Sequence, residues 1–292
     1  MKIHCLLTAV CGWALVSGAV AAAKPPPGAP VNLQAALPAP SEADWRTPDP
    51  QNVLVIDTNK GRILFELSPP VAPKSVERVR DLTRQGLYDG RTFFRVIDNF
   101  MDQTGDPLDT GAGGSKLPDL AAEFTFRRGE DAAMAVVSTD NGVEAGFVGA
   151  TPVVSQPMML GAMLADHRVR AYGAFCPGVG GMARAGDPNS GNSQFFLMRA
   201  GNASLDQQYT VFGRVLAGMD VVRAIKTGEP VVAPQDKMLK VRVLADLPAT
   251  ERPKLRVIDT NGAWFQASVA RTHAQTGVSP QICDIDIPVQ LK

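Results

Sequence analysis

The feature that most narrows the fold is how briefly any one pattern lasts. From residue 52 onward the apolar residues come in short runs, each broken by Gly, Pro, Asn or Asp before a long helix could form. Val53-Leu54-Val55-Ile56 and Arg62-Ile63-Leu64-Phe65-Glu66-Leu67 flank Asn59-Lys60-Gly61, a β-hairpin signature. Further strand candidates are residues 93–101, 134–137, 181–183, 194–198, 211–215 and 239–244. Two helical stretches interrupt them. In the first, Ala72, Val76, Val79 and Leu82 recur at helical spacing, with Pro73 suited to the first turn and Gly86 to the stop; the second covers 219–226. The 27 glycines and 23 prolines suit so much turning, while 45% apolar residues are too many for a disordered chain. Short strands with two helices predict a mainly β architecture, a closed antiparallel barrel rather than alternating parallel units.

Residues 1–23 read as an export signal: Lys2 gives the positive start, an apolar run follows over 5–20, and Ala21-Ala22-Ala23 supplies a small-residue cleavage pattern. The mature chain then begins near Lys24. The alternative is an uncleaved membrane anchor, against which stand the shortness of the run and its small-residue end. Cys11 follows Thr8-Ala9-Val10, which lacks the residues expected before a lipidated cysteine. No later segment is apolar for long enough to span a bilayer, so the cleaved chain is expected to be periplasmic or secreted, with no membrane span. Residues 24–51, rich in Pro and Ala and without periodicity, read as a linker. Of the four cysteines, Cys5 and Cys11 leave with the signal. Cys176 and Cys283 remain, an even pair in an oxidising compartment, and a disulfide between them is expected; two free thiols are the alternative.

Lys plus Arg and Asp plus Glu both number 29, and a chain with no basic excess has little to offer nucleic-acid phosphates. His4 lies in the signal, and His167 and His273 stand apart without metal-ligand spacing, so neither a metal nor another cofactor is expected. In Gly111-Ala112-Gly113-Gly114-Ser115-Lys116 the Lys follows the Ser, the reverse of a phosphate-binding loop, and the segment reads as a flexible turn. Gly191-Asn192-Ser193-Gln194-Phe195 lacks the second glycine of a nucleophile elbow, which leaves Ser193 a polar loop residue.

Two segments combine one Arg, one Gln and several large apolar groups. They are Phe93-Phe94-Arg95-Val96-Ile97-Asp98-Asn99-Phe100-Met101-Asp102-Gln103-Thr104-Gly105-Asp106-Pro107 and Gly181-Met182-Ala183-Arg184-Ala185-Gly186-Asp187-Pro188-Asn189-Ser190-Gly191-Asn192-Ser193-Gln194-Phe195-Phe196. With Leu87-Tyr88-Asp89-Gly90 before them, and Leu205-Asp206 and Val211-Phe212-Gly213-Arg214-Val215 after, the chain resembles cyclophilin-type peptidyl-prolyl cis-trans isomerases over residues 52–247. The resemblance implies a closed eight-stranded antiparallel β-barrel capped by two helices, acting on proline-containing polypeptides as a monomer. It implies Arg95 and Gln103 as catalytic residues, and Phe100, Met101, Phe196 and Leu205 as walls of a proline pocket. Ala183 and Arg184 would lie along the bound peptide, Ala185 and Gln194 beside it, and Tyr209 at the pocket edge.

Several positions depart from the family. Tyr209 stands where His is common, and a phenol can still edge an apolar pocket. Ser204 stands where many members have Trp, which puts tight cyclosporin binding in doubt. Phe94 replaces a commoner His and Thr104 a commoner Gly. An insertion occupies about 138–176, with a short helix expected over 158–166 after Pro157, its Met158, Met159 and Met163 read as local core rather than as an adaptable surface. An extension covers 248–292, with strand-like Leu255-Arg256-Val257-Ile258 and Ile282-Cys283-Asp284-Ile285. A Cys176–Cys283 bond would join the two additions into one satellite near the groove. The sequence thus points to an exported prolyl isomerase that assists folding; a peptide-binding chaperone with little activity and a structural envelope protein are the alternatives.

Overall fold

Most of the short runs become strands, each ended by a turn. The computed structural model describes residues 39–291; the expected signal and residues 24–38 of the expected linker lie outside them. In chain order the strands are β1 (Trp45–Arg46), β2 (Val53–Thr58), β3 (Gly61–Leu67), β4 (Arg95–Ile97), β5 (Met101–Thr104), β6 (Phe126–Arg128), β7 (Ala135–Asp140) and β8 (Val143–Val148). They continue as β9 (Thr151–Ser155), β10 (Val169–Gly173), β11 (Val179–Met182), β12 (Phe195–Met198), β13 (Val211–Ala217), β14 (Met238–Val243), β15 (Leu255–Ile258) and β16 (Val289–Leu291). The helices are α1 (Pro73–Arg84), α2 (Met219–Ala224) and α3 (Ala263–Thr276).

Eight strands form one antiparallel sheet in the order β14-β2-β3-β13-β11-β12-β5-β4. The sheet curls until the segments preceding its two edge strands meet: Phe93 N–H donates to Asp236 O at 2.9 Å and Met238 N–H to Arg91 O at 2.8 Å. The expected closed barrel is thus a curled sheet whose edge strands β4 and β14 share no ladder and meet only through these flanking segments. The hairpin β2–β3 forms as its turn residues dictate. Along β2, Leu54 and Ile56 belong to the buried cluster that includes α1 residues Val76, Val79 and Leu82, whereas Val53 and Val55 belong to the one that includes Leu255, Val257 and Trp264 of the extension. A strand covered on both faces reads as an unbroken apolar run, which is what Val53 to Ile56 shows. The first turn of α1 begins with Pro73, and its free N–H groups at Lys74 and Ser75 are capped from afar by the Glu123 carboxylate at 2.9 and 2.8 Å.

Four expectations need correction. The single strand expected over 93–101 is split, because Asn99 adopts a left-handed backbone (φ 56°) that Asn tolerates and turns the chain from β4 into β5. The linker expected to run to residue 51 is ordered before its end: β1 pairs with β15, and Arg46 makes a two-pronged ion pair with Glu66 at 2.6 and 2.7 Å. In the insertion, whose strands β8, β9 and β10 join β6 and β7 in an antiparallel sheet ordered β6-β10-β9-β8-β7, the expected helix is a 3-10 segment (Met158–Met163). It leaves Met159 and Met163 80% and 78% exposed, so these two are surface and not core. In the extension, Ile282-Cys283-Asp284 is a 3-10 turn with Ile282 and Ile285 buried, not a strand.

The sequence reading also missed α3. Its inward stripe is Trp264, Phe265, Ser268, Val269 and Thr272, and the two hydroxyls satisfy themselves on carbonyls one turn back, Ser268 on Trp264 O and Thr272 on Ser268 O, both at 2.9 Å. Polar residues that need no outside partner hid an apolar face. Phe265 meets Phe147 of the insertion edge-on, with centroids 5.9 Å apart, and Cys176 is disulfide-bonded to Cys283. No helix among the described residues is long and apolar enough to cross a membrane.

Candidate active site

The Asn99 turn has a direct consequence, since folding β4 back on β5 sets Arg95 directly opposite Gln103. Arg95 Nη1 donates to Gln103 Oε1 at 3.3 Å, Gln103 Nε2 to Gln194 Oε1 at 3.0 Å, and Gln194 Nε2 to the carbonyls of Gly111 and Gly113 at 3.0 and 2.7 Å. This relay fixes which way each amide points, because Arg95 can only donate at one end and the two carbonyls can only accept at the other. The loop at its end is not the loose turn expected. The buried Asp106 carboxylate accepts from the N–H groups of Leu108, Thr110, Gly111 and Gly113 at 2.8, 2.9, 2.6 and 3.2 Å. Burial would raise the Asp106 carboxyl, but these bonds hold it below the usual carboxylate range.

Beside the relay lies an aromatic wall. In the register of β5 and β12, Phe196 sits opposite Gln103. The Phe196 ring stacks on Phe175 at 5.8 Å and meets Tyr209 edge-on at 5.9 Å. Across the sheet it faces Gly181, where a side chain is excluded: a Cβ there would stand 2.4 Å from Phe196 Cζ and 2.7 Å from Phe175. Buried Met101 and half-buried Phe100, Ala183, Leu205 and Tyr209 belong to the same apolar cluster. Arg184 lies to one side. Its guanidinium sits over the Tyr209 ring at 4.5 Å and near Phe124 at 5.6 Å, and donates to Gln208 O and Ala185 O at 3.0 and 2.9 Å. Ala183 N–H donates to Gln194 O at 3.0 Å, which ties the groove segment to the relay. Gln103, Ala183, Arg184, Ala185 and Gln194, with Asp119 and Asn192, line an open polar cavity of about 350 Å³.

Behind the site is a buried ion pair absent from the sequence reading. Asp102, fully buried, accepts from Arg199 Nη1 at 3.1 Å, while Arg199 also donates to Arg223 O at 2.6 Å and its N–H to Phe100 O at 2.8 Å. Arg199 thereby clamps the turn that carries Phe100. Burial pushes the Asp102 carboxyl up to about 7 despite the opposing pull of Arg199. Its Oδ2 is buried without a partner among the described residues.

An aromatic wall beside an arginine held by a glutamine offers an apolar surface and an oriented donor to the same ligand. Residues 53–244 match the model of the family described as cyclophilin type peptidyl-prolyl cis-trans isomerase. The chain belongs to the cyclophilin family of peptidyl-prolyl cis-trans isomerases. A probable peptidyl-prolyl cis-trans isomerase of Brucella suis is 33% identical to this cyclophilin over 213 residues, 68% of this chain and 85% of the relative. A putative one from Staphylococcus aureus is 30% identical over 68% of this chain and 91% of its own. The crystal structure of cyclophilin AquaCyp293 from Hirschia baltica superposes with a TM-score of 0.77 at 33% identity, covering 85% of this chain and 93% of that one. That share exceeds residues 53–244, so part of this cyclophilin's additions is aligned as well.

The site of this cyclophilin also holds groups that its motifs did not reveal. Phe175 backs Phe196, Phe124 carries Arg184, and Glu229 accepts from Arg95 Nε at 2.6 Å. Phe175 sits beside Cys176, and that cysteine was the only signal pointing to its neighbourhood. Glu229, which lies 134 residues from Arg95, gave none.

Proposed function

We propose that this isomerase is exported and speeds rotation about X-Pro bonds in other exported chains as they fold, with Arg95 stabilising the twisted amide. A peptide bond owes its barrier of roughly 18–20 kcal/mol to conjugation, and an uncatalysed X-Pro bond flips only over tens to hundreds of seconds. When the amide twists, conjugation is lost and the proline nitrogen becomes pyramidal and basic. A donor aimed at that nitrogen then binds the twisted form better than either planar form, and that difference is the catalysis. An acceleration of about 10⁴ to 10⁵ asks for roughly 5–7 kcal/mol, within reach of one oriented charge together with positioning.

The observation that carries the reading is the Arg95–Gln103–Gln194 relay set against the Phe196 wall. In this role Phe100, Met101, Phe196 and Leu205 grip the proline ring, Tyr209 edges it, and Ala183, Arg184, Ala185 and Gln194 run along the preceding residues. A protease-coupled proline-peptide assay tests it. Wild-type protein should be active and Arg95→Ala should lose about 100-fold or more in kcat/KM, in line with removal of a single transition-state donor. Equal rates would take Arg95 out of the chemistry, and a wild type no faster than the uncatalysed reaction would leave a protein that binds proline peptides without acting on them. Export draws support from the signal-like residues 1–23 and from the Cys176–Cys283 bond, which persists in oxidising compartments. The mature protein recovered from the periplasm or medium should begin near Lys24; a cytoplasmic chain starting at Met1 would contradict export.

A further inference from the structure

Arg95 has a second partner that gripping a proline does not require. Its Nε donates to Glu229 Oε1 at 2.6 Å while Nη1 turns to Gln103 Oε1 at 3.3 Å, and among the described residues Nη2 has no partner. A guanidinium is planar, so two contacts on different nitrogens fix its plane and leave one nitrogen to meet a substrate. Glu229 is well anchored. Gly228 and Val96 exchange two backbone hydrogen bonds of 2.8 Å, and Val231 N–H donates to Phe94 O at 2.9 Å, which lays the segment along the edge of β4. The turn there is tight enough that a Cβ on Gly228 would come within 2.7 Å of Val231 Cα. Farther along, buried Asp236 accepts from Asn59 Nδ2 at 2.6 Å and Lys226 N–H at 2.7 Å, and Lys226 Nζ donates back to Val232 O at 2.7 Å. The segment is pinned at both ends.

We infer that Glu229 is a positioning residue of the isomerase: it locks the plane of the Arg95 guanidinium so that Nη2 is presented to the twisting amide. The inference rests on the reading of Arg95 as the acting group. Glu229 and Arg95 side chains are 55% and 37% exposed, so the attraction between them is screened and adds little to stability. What it supplies is direction. A carboxylate also draws on the charge that Arg95 offers the substrate, and a neutral acceptor at the same place would orient without that cost.

Three variants, Glu229→Ala, Glu229→Gln and Arg95→Ala, are compared for kcat and KM on a proline peptide by exchange NMR, together with their melting temperatures. Glu229→Ala should lower kcat about three- to tenfold with KM within about twofold and an unchanged melting temperature, and Glu229→Gln should recover most of the rate. Combined with Arg95→Ala, Glu229→Ala should cost nothing more. A wild-type kcat in Glu229→Ala, a loss that follows the melting temperature, or a Gln variant as slow as the Ala variant would overturn the inference. If Arg95→Ala is impaired and Glu229→Ala is not, only the role of Glu229 fails; if Arg95→Ala keeps the wild-type kcat, the reading of Arg95 fails with it.

Discussion

Asp102 and Gln103 are neighbours on one strand, and because successive side chains of a strand point to opposite faces they meet opposite surroundings. Gln103 joins the relay at the groove; Asp102 is sealed in with Arg199 as its partner. Its carboxyl, pushed up to about 7 by burial, binds a proton more tightly in the folded chain than in the unfolded one, where about 3.8 is usual. With a raised folded value the sign is fixed: the stability Asp102 contributes is complete below the unfolded value and is lost as pH rises toward and through about 7. Between about pH 5 and about pH 8, wild-type protein should therefore lose stability relative to Asp102→Asn, read by urea denaturation at each pH. Parallel profiles would show that Arg199 keeps the carboxylate ionised throughout. At this scale the sequence was informative where a residue type is bound to a motif, as with Arg95, Gln103, Phe196 and Gln194. It was silent on Glu229 and Arg199, whose partners come from distant segments and whose own surroundings in sequence are ordinary.

The elements follow the same division. Strands and the first two helices announce themselves by runs and turn residues, and the observed β2, β3, β12, β13, α1 and α2 fall where those signals lie. The breaks were harder to read. A single Asn99 in a left-handed turn makes two strands of one apolar stretch, and two self-satisfied hydroxyls conceal α3. The elements added to the eight-stranded sheet bear on the aromatic wall through Phe175, which stacks on Phe196 and whose N–H and C=O are held by Asp206 Oδ1 at 2.9 Å and Asn202 N–H at 2.8 Å. The next residue, Cys176, is bonded to Cys283 across a sequence separation of 107. A link closing so long a loop removes much freedom from the unfolded chain, and Cys283→Ser should cost about 2–5 kcal/mol of stability by denaturant titration. An unchanged midpoint would mean that packing around Phe265 alone secures the extension.

At the scale of the molecule two apolar clusters share the eight-stranded sheet. One joins the sheet to α1 and α2; the other joins its opposite face to the insertion, the extension and the proline-pocket candidates Phe196, Met101, Phe100 and Leu205. The additions therefore do not form a tail hung on a finished barrel. They share the buried cluster that holds Phe196 and Met101, and we propose that as one satellite they shape access to the groove. The central claim remains that Arg95 acts on the amide as it twists, and its most direct test separates binding from turnover on the enzyme itself. Exchange NMR on a saturating proline peptide yields both. For Arg95→Ala the account predicts a peptide affinity within about threefold of wild type and a bound-state cis–trans exchange rate lower by about 100-fold or more. An exchange rate equal to wild type, or a loss of affinity as large as the loss of rate, would contradict it.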